Sequence, residues 1–131
     1  MAAFLYESSV DSVRCDAYND DPTRVRRVAA KMASQESLTG LSAICAALGN
    51  PIRSAIYAAI RIEPLCVCEL SSLLGHSSPA LIHHLRHLDR AGLISVRKEG
   101  KFAIYEPLCS TADGIFKAFD KDNCQTIGAR K

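Results

Sequence analysis

The stretch from Cys66 to Pro107 constrains the fold more than any other part of the sequence. Within it the spacing of apolar residues changes from helical to alternating, and no long loop intervenes. Two short segments have leucines at helical spacing, and only Gly75–Ser77 separates them. Two alternating segments follow, Ile94–Lys98 and Phe102–Glu106, with a short glycine-containing turn between them. This order predicts a helix, a tight turn, a second helix and a two-stranded hairpin.

That arrangement is a winged helix-turn-helix, in which the second helix enters the major groove of DNA and the hairpin forms a wing. Leu81, Leu85 and Leu88 form the predicted buried side of the second helix, so the remaining side chains point away from the core. We expect these side chains and the basic hairpin tip to meet base edges or phosphates. The predicted DNA-binding residues are Ser77, Ser78, His83, Arg86, His87, Arg97, Lys98 and Lys101.

The same periods predict which side chains are buried around this pair of helices. In the first helix Leu70, Leu73 and Leu74 are expected to face the core. In the hairpin a two-residue turn at Glu99-Gly100 is expected, and four apolar residues should face one way. These four are Ile94, Val96, Phe102 and Ile104.

Helices are also predicted before and after this region, so the fold class is mainly α with a small β-hairpin. Asp21-Pro22 and Asn50-Pro51 each combine a cap residue with a proline at the first helical position. A further helix is expected from about Leu38, and a last one over about Thr111–Lys121. We therefore predict an N-terminal arm over 1–20, one DNA-binding and dimerisation domain over 21–121, and a tail over 122–131.

The net charge of the whole chain does not indicate a nucleic-acid partner, but the charge of one segment does. The net charge of the 131 residues is +2, which is too small to identify one. Between Ser77 and Tyr105, however, five basic residues stand against two acidic ones. No apolar run has the length of a membrane span, and Met1–Val13 lacks the pattern of a signal peptide. We therefore expect a cytoplasmic protein with no membrane partner, whose six cysteines are reduced.

Cys66 and Cys68 flank the predicted start of the first helix. Cys66-x-x-Glu69 imitates a capping box, with sulfur in place of a hydroxyl. Within a regular helix this spacing would separate the two thiols, but at a helix start both can converge on one ion. Thiolates are soft ligands for Cd(II), Pb(II), Zn(II), Cu(I) or trivalent arsenic. The alternative is that both are small apolar fillers, as expected for Cys45, which shares a helix face with Leu41, Ile44 and Leu48.

Four motifs together resemble the ArsR/SmtB family of metal-responsive winged-helix repressors, most closely its cadmium- and lead-responsive branch. They are LGNPIR (Leu48–Arg53), CVCEL (Cys66–Leu70), HHLRHLDRAGLI (His83–Ile94) and RKEGKFAIY (Arg97–Tyr105). The resemblance implies a homodimer that binds a palindromic operator in double-stranded DNA and leaves it when a thiophilic metal ion binds. Pb, Cd, Zn and trivalent As are the candidate ions.

The resemblance also implies a ligand set. Cys15 in the arm is expected to join Cys66 and Cys68 as a third thiolate, plausibly from the other subunit. Asn19 stands where the arm of this branch has a second cysteine, so four thiolates are not expected. Some family members use C-terminal thiols, which makes Cys109 the reserve ligand.

Three alternatives to a metal-released repressor are open. A repressor of the same fold could sense oxidants or persulfide through Cys66 pairing with another thiol. A metal-buffering protein could retain a helix-turn-helix that no longer binds DNA. An enzyme is not expected, because no nucleophile motif or pair of carboxylates stands out in the sequence.

Overall fold

The computed structural model describes residues 21–120. Over this range the chain forms six helices and three strands. They are α1 (Pro22–Lys31), α2 (Gln35–Leu48), α3 (Pro51–Ile60), β1 (Leu65–Cys66), α4 (Val67–Leu74), α5 (Ser78–Arg90), β2 (Ile94–Glu99), β3 (Phe102–Pro107) and α6 (Ser110–Asp120). The backbone divides after Ser42 into two compact units, so α1 and the first half of α2 belong to one unit and everything from Ala43 to the other.

The helix starts follow the cap signals in the sequence. Asp21 Oδ1 accepts a hydrogen bond from the Thr23 amide at 3.0 Å, and Asn50 Oδ1 accepts one from the Ile52 amide at 2.9 Å. α2 begins three residues earlier than predicted, because Ser34 Oγ accepts from the Ser37 amide at 3.1 Å. Within residues 21–120 no single helix is long and apolar enough to cross a membrane, and only the bent pair α2 and α3 has that length and composition together.

The core of the second unit lies between α3, α4, α5 and the sheet. Tyr57 at its centre is fully buried, and its ring stacks on Phe116 with the centroids 5.2 Å apart. The Tyr57 hydroxyl donates to the carbonyl oxygen of Cys109 at 3.1 Å, and burial raises the pKa of Tyr57. The other core side chains are Ala47, Ile56, Ile60, Leu70, Leu81, Leu85, Leu88, Leu93, Ile94 and Ala112.

Three of the predicted core positions in α2 and α4 are wrong. Cys45 is exposed, because Ala47 is the buried residue of α2 and Cys45 lies about 160° around the helix from it, on the opposite side. Leu73 is 61% exposed, since α4 turns Leu70 towards the core and Leu74 stacks on the same side one turn later. Leu41 of α2 is also 44% exposed, so both helices leave apolar residues of the predicted stripe at the surface.

The turn of the hairpin lies one residue later in the chain than the sequence predicts. β2 and β3 pair antiparallel from Ile94 opposite Pro107 to Glu99 opposite Phe102, which leaves Gly100-Lys101 as the turn. Gly100 adopts a φ of 61°, in the left-handed region that such turns require.

The prediction that Ile94, Val96, Phe102 and Ile104 face one way is also wrong. A two-residue turn places even-numbered residues of β2 opposite odd-numbered residues of β3, so that Val96 faces Tyr105 and Arg97 faces Ile104. Residues directly opposite each other share a face of the sheet. The hairpin therefore has one face with Ile94 and Val96 and another with Phe102 and Ile104.

β1 is a strand that the sequence pattern did not predict. It pairs antiparallel with β3, Leu65 opposite Tyr105 and Cys66 opposite Ile104, and it completes a sheet of order β1-β3-β2. Cys66 ends this strand, and α4 begins at the next residue. One residue is thus part of both the wing sheet and the start of the helix-turn-helix.

Candidate nucleic-acid interface and thiol site

α5 is the helix that presents the predicted base-reading residues. Its start is fixed by Ser77, whose Oγ accepts from the Ala80 amide at 3.4 Å. Its buried side is Leu81, Leu85 and Leu88, which directs the rest of the helix outwards. Ser77, His83 and Arg86 are exposed, and Ser78 and His87 are partly buried.

A contact to α5 that sequence analysis missed comes from Arg53 of α3. Arg53 Nε donates to the carbonyl oxygen of Ala47 at 2.6 Å, and Nη1 lies 3.4 Å from Nδ1 of His84. A guanidinium has only donors, so His84 Nδ1 must accept and the ring proton lies on Nε2. Burial, and then the charge of Arg53, lower the pKa of His84. Arg53 therefore favours the neutral form of His84 on the flank of α5.

The wing presents its three predicted cations differently. Arg97 is held by two carboxylates on its own face of the sheet: Nε donates to Glu106 Oε2 at 2.6 Å, and Nη1 donates to Glu99. Lys98 lies on the opposite face, and Lys101 is in the turn. Both lysines are exposed, whereas the 47% exposed Arg97 has to exchange carboxylate partners for a phosphate.

The two thiols at the start of α4 are both free but differ in exposure. Cys66 is buried and Cys68 is exposed. One hydrogen bond of the predicted capping box is present: the Glu69 carboxylate oxygen Oε1 accepts from the Cys66 amide at 2.9 Å. Cys66 keeps an extended backbone, with φ −91° and ψ 171°, so the helix geometry that would separate the thiols starts only after it. One buried and one exposed thiol are thus available at the same helix start.

A third ligand for these thiols is absent from the part of the chain that is described. Across residues 21–120 no three His, Cys, Asp or Glu side chains are grouped so as to hold a metal ion. Cys109 precedes α6, where its Sγ accepts from the Ala112 amide at 3.5 Å, and it does not join Cys66 and Cys68 in such a group. The predicted ligand Cys15 lies outside the described residues.

α6 is fixed to α3 by one arginine. Arg61 Nε lies 2.9 Å from Asp113 Oδ1 and Nη1 lies 2.7 Å from Asp120 Oδ2, while the guanidinium sits 5.5 Å from the ring centroid of Phe116. The Arg61 side chain is only 13% exposed. Hydrogen bonding to Arg61 lowers the pKa of Asp113. No local sequence signal points to this contact, because Arg61 and Asp113 are 52 residues apart.

The adjacent α4 and α5, followed by a paired hairpin, define the class of protein as a winged helix-turn-helix, as predicted. Among solved structures, HlyU from Vibrio cholerae N16961 is similar with a TM-score of 0.66 and 28% identity over 70% of this chain and all of that one. The sequence profile of the arsR family of bacterial regulatory proteins matches residues 50–96. The chain belongs to this family of transcriptional regulators, which confirms the resemblance found in its motifs and the prediction that it is not an enzyme.

Three relatives show how far the similarity extends. A Halobacterium salinarum protein assigned as the arsenical resistance operon repressor ArsR is 43% identical over 48% of this chain, which spans only half the length of that relative. The CadC homologue of Staphylococcus aureus, named as a cadmium resistance transcriptional regulatory protein, is 29% identical over 70% of this chain and 75% of its own. An uncharacterised HTH-type transcriptional regulator of Methanocaldococcus jannaschii is 32% identical over 57% of this chain and 85% of its own.

Proposed function

We propose that the protein is a cytoplasmic transcriptional repressor that binds operator DNA as a homodimer and leaves it when a thiophilic ion binds at Cys66 and Cys68. The observation that carries this proposal is the position of Cys66. It precedes α4, the first helix of the helix-turn-helix, and it pairs with β3 of the wing. A change at this thiol is therefore adjacent to both elements that would contact DNA.

The DNA-binding part of the proposal rests on α5 and the hairpin. α5 offers His83, Arg86 and His87 on the side away from its leucines, with Ser77 and Ser78 at its start. Side chains of this kind pair with base edges and phosphates. Arg97, Lys98 and Lys101 would hold the flanking backbone.

Dimerisation is supported by the outward side of α6. Ile115 and Phe119 are exposed one turn apart, and the preceding Leu108 is 62% exposed. Exposed apolar side chains grouped in this way are typical of an interface. Arg61 connects α6 to the end of α3, and α3 in turn packs on α5. A two-fold dimer would place its reading helices about one DNA turn, ~34 Å, apart.

The ion class follows from the donor set. Two free thiols at one helix start fit Pb(II), Cd(II), Zn(II) or trivalent arsenic, all of which accept sulfur ligands. The names of the relatives point to arsenical and cadmium resistance. Cys15 is proposed as the third ligand and Cys109 as its substitute.

Two connections would carry a displacement of Cys66 to the DNA-binding elements. α4 packs directly against α5, and Cys66, Ile104 and Arg97 lie side by side across the three strands. Neighbouring strands are about 4.8 Å apart, so Cys66 and Arg97 are separated by roughly 10 Å. The coupling required is modest, typically ~1–3 kcal/mol.

The test is an operator-binding titration with Pb(II), Cd(II), Zn(II) and arsenite on the full chain. We expect at least one ion to weaken binding by the wild type, and Cys66→Ser and Cys68→Ser to abolish this response while retaining operator binding. Cys45→Ser is the matched control, because Cys45 is an exposed free thiol elsewhere in the fold. Cys15→Ser and Cys109→Ser identify the third ligand. Ion-triggered release that survives the double replacement of Cys66 and Cys68 would refute the proposal.

A thiol-based redox or persulfide-sensing repressor is the second candidate. It is favoured by the pair of thiols that has no third ligand among residues 21–120, since two sulfurs are enough for a disulfide or a persulfide bridge. Release by an oxidant or a persulfide donor, without release by any of the four ions, would select it. Ion binding with no affinity for DNA in any state would instead indicate a metal-buffering protein.

A further inference from the structure

α1 has an unusual charge composition that the proposed reading helix and wing do not account for. Four of its ten residues are basic, and none is acidic. At 3.6 residues per turn, Arg24, Arg27 and Lys31 line up along one stripe, at positions i, i+3 and i+7. Arg26 lies about 100–140° around the helix from Arg27 and Lys31. We call Arg24, Arg27 and Lys31 the basic stripe of α1.

The basic stripe is unfavourable for an isolated helix. Like charges three or four residues apart repel each other, as Arg27 and Lys31 do in α1. A solvated surface helix usually relieves this repulsion with acidic residues at the same spacing, and α1 has none. Arg27 and Lys31 are both exposed, and Val28 beside them is 55% exposed. A polyanionic ligand would remove this repulsion between Arg27 and Lys31.

Most of the apolar side of α1 is covered and only Val28 is left exposed on it, which decides between the classes of polyanion. Ala29 is buried, and Val25 and Met32 are partly buried. A helix that lies in a lipid surface needs a free apolar face beneath its cations. α1 therefore offers cations without a wide apolar face, which fits the phosphate backbone of a nucleic acid better than a membrane.

We propose that the basic stripe of α1 is a second DNA-contacting surface, in which Arg27 and Lys31 bind backbone phosphates of duplex DNA. The inference rests on the proposed DNA-binding function and adds a contact to it. Arg27 and Lys31 are about 6 Å apart along the helix axis. Phosphates of one strand advance about 3.4 Å each along the duplex, so a separation of about 6 Å corresponds to roughly two phosphate steps, and both cations can reach phosphates of one strand. Such contacts strengthen binding to every sequence and select none.

The experiment measures binding of the full-length protein to a random-sequence 30-base-pair duplex at several salt concentrations. Arg27→Gln and Lys31→Gln should each weaken binding several-fold and lower the slope of log affinity against log salt by about 0.9 for each phosphate that is no longer neutralised. Arg26→Gln is the matched control, because it removes the same charge from another side of the same helix. Arg27→Lys should restore the slope. Circular dichroism verifies that each variant retains its helices.

The outcomes separate this inference from the proposed function. Equal effects of Arg26→Gln and Arg27→Gln would mean that only net charge matters, and would overturn the inference while the proposed function stands. Loss of binding to phosphatidylglycerol vesicles in Arg27→Gln, with DNA binding unchanged, would overturn it in favour of a membrane. A wild-type protein that binds no duplex at any salt concentration would overturn both.

Discussion

Cys66 lies directly opposite Ile104 in the β1–β3 ladder, with both side chains on one face of the sheet. Arg97 lies opposite Ile104 on the other side, in β2. The buried thiol proposed as an ion ligand and the cation proposed as a wing contact are therefore separated by a single side chain. The sheet offers a direct mechanical connection between them, in addition to the packing of α4 on α5.

Ile104→Ala should weaken this connection. We expect the ion affinity to remain within about twofold of wild type. The factor by which the ion lowers DNA affinity, typically about 5–150-fold for such couplings, should become smaller by about threefold or more. Val96→Ala is the control, because Val96 lies on the opposite face of the same sheet. The measurement is operator binding with and without saturating ion. An unchanged ratio in Ile104→Ala would place the coupling entirely in α4 and α5.

Glu106→Gln should strengthen DNA binding, because it removes one of the two carboxylates that hold Arg97. We expect a gain of about two- to fivefold for operator and random duplex alike, as is typical of an exposed ion pair. Glu63→Gln, which neutralises an exposed glutamate outside the sheet, controls for net charge. In an Arg97→Ala background the gain from Glu106→Gln should fall to that of Glu63→Gln. A full gain without Arg97 would show that Glu106 acts on DNA directly.

Arg61→Ala should destabilise the second unit by about 1–3 kcal/mol, because it removes hydrogen bonds to two carboxylates and the packing of the guanidinium on Phe116. Lys117→Ala is the control: Lys117 contacts the same Asp113 at 3.4 Å but is 69% exposed, so its loss should change stability by less than about 0.5 kcal/mol. Urea unfolding measures both. Equal effects would mean that burial of Arg61 adds nothing to the contact.

His84 predicts a pH dependence of stability. The folded state lowers the pKa of His84 below its ordinary value of 6.5, because of burial and the neighbouring Arg53, His83, His76 and His87. The unfolded chain therefore binds more protons at this ring, so stability is complete above about pH 6.5 and falls as the pH drops towards the folded pKa.

The measurement is urea unfolding at pH 7.5 and pH 5.5. His84→Gln should lose less stability on acidification than wild type, since glutamine does not titrate in this range. His83→Gln, at the exposed neighbouring ring, should keep the wild-type decline. A His84→Gln variant with the full decline would assign the pH dependence to another group.

The parts of this protein that depend on residues within one helical turn of each other could be predicted from the amino-acid sequence. Asp21, Asn50 and Ser77 start helices because their side chains reach amides two or three residues ahead, although the cap of α5 lies one residue before the predicted Ser78. The leucines of α5 and the alternation of the hairpin also predicted the winged helix-turn-helix, and four motifs predicted the family. The third thiolate, Cys15, remains a prediction.

Contacts between groups that are far apart in the chain became visible only in the folded protein. β1 is two residues long, too short for any period to reveal, and it exists because β3 supplies its partners. Arg53 reaches His84 across 31 residues and Arg61 reaches Asp113 across 52. Cys45 and Leu73 are apolar by type, yet the packing of other elements left them at the surface. Local propensity is encoded in neighbouring residues, whereas pairing and burial depend on free energies that arise only when distant segments pack together.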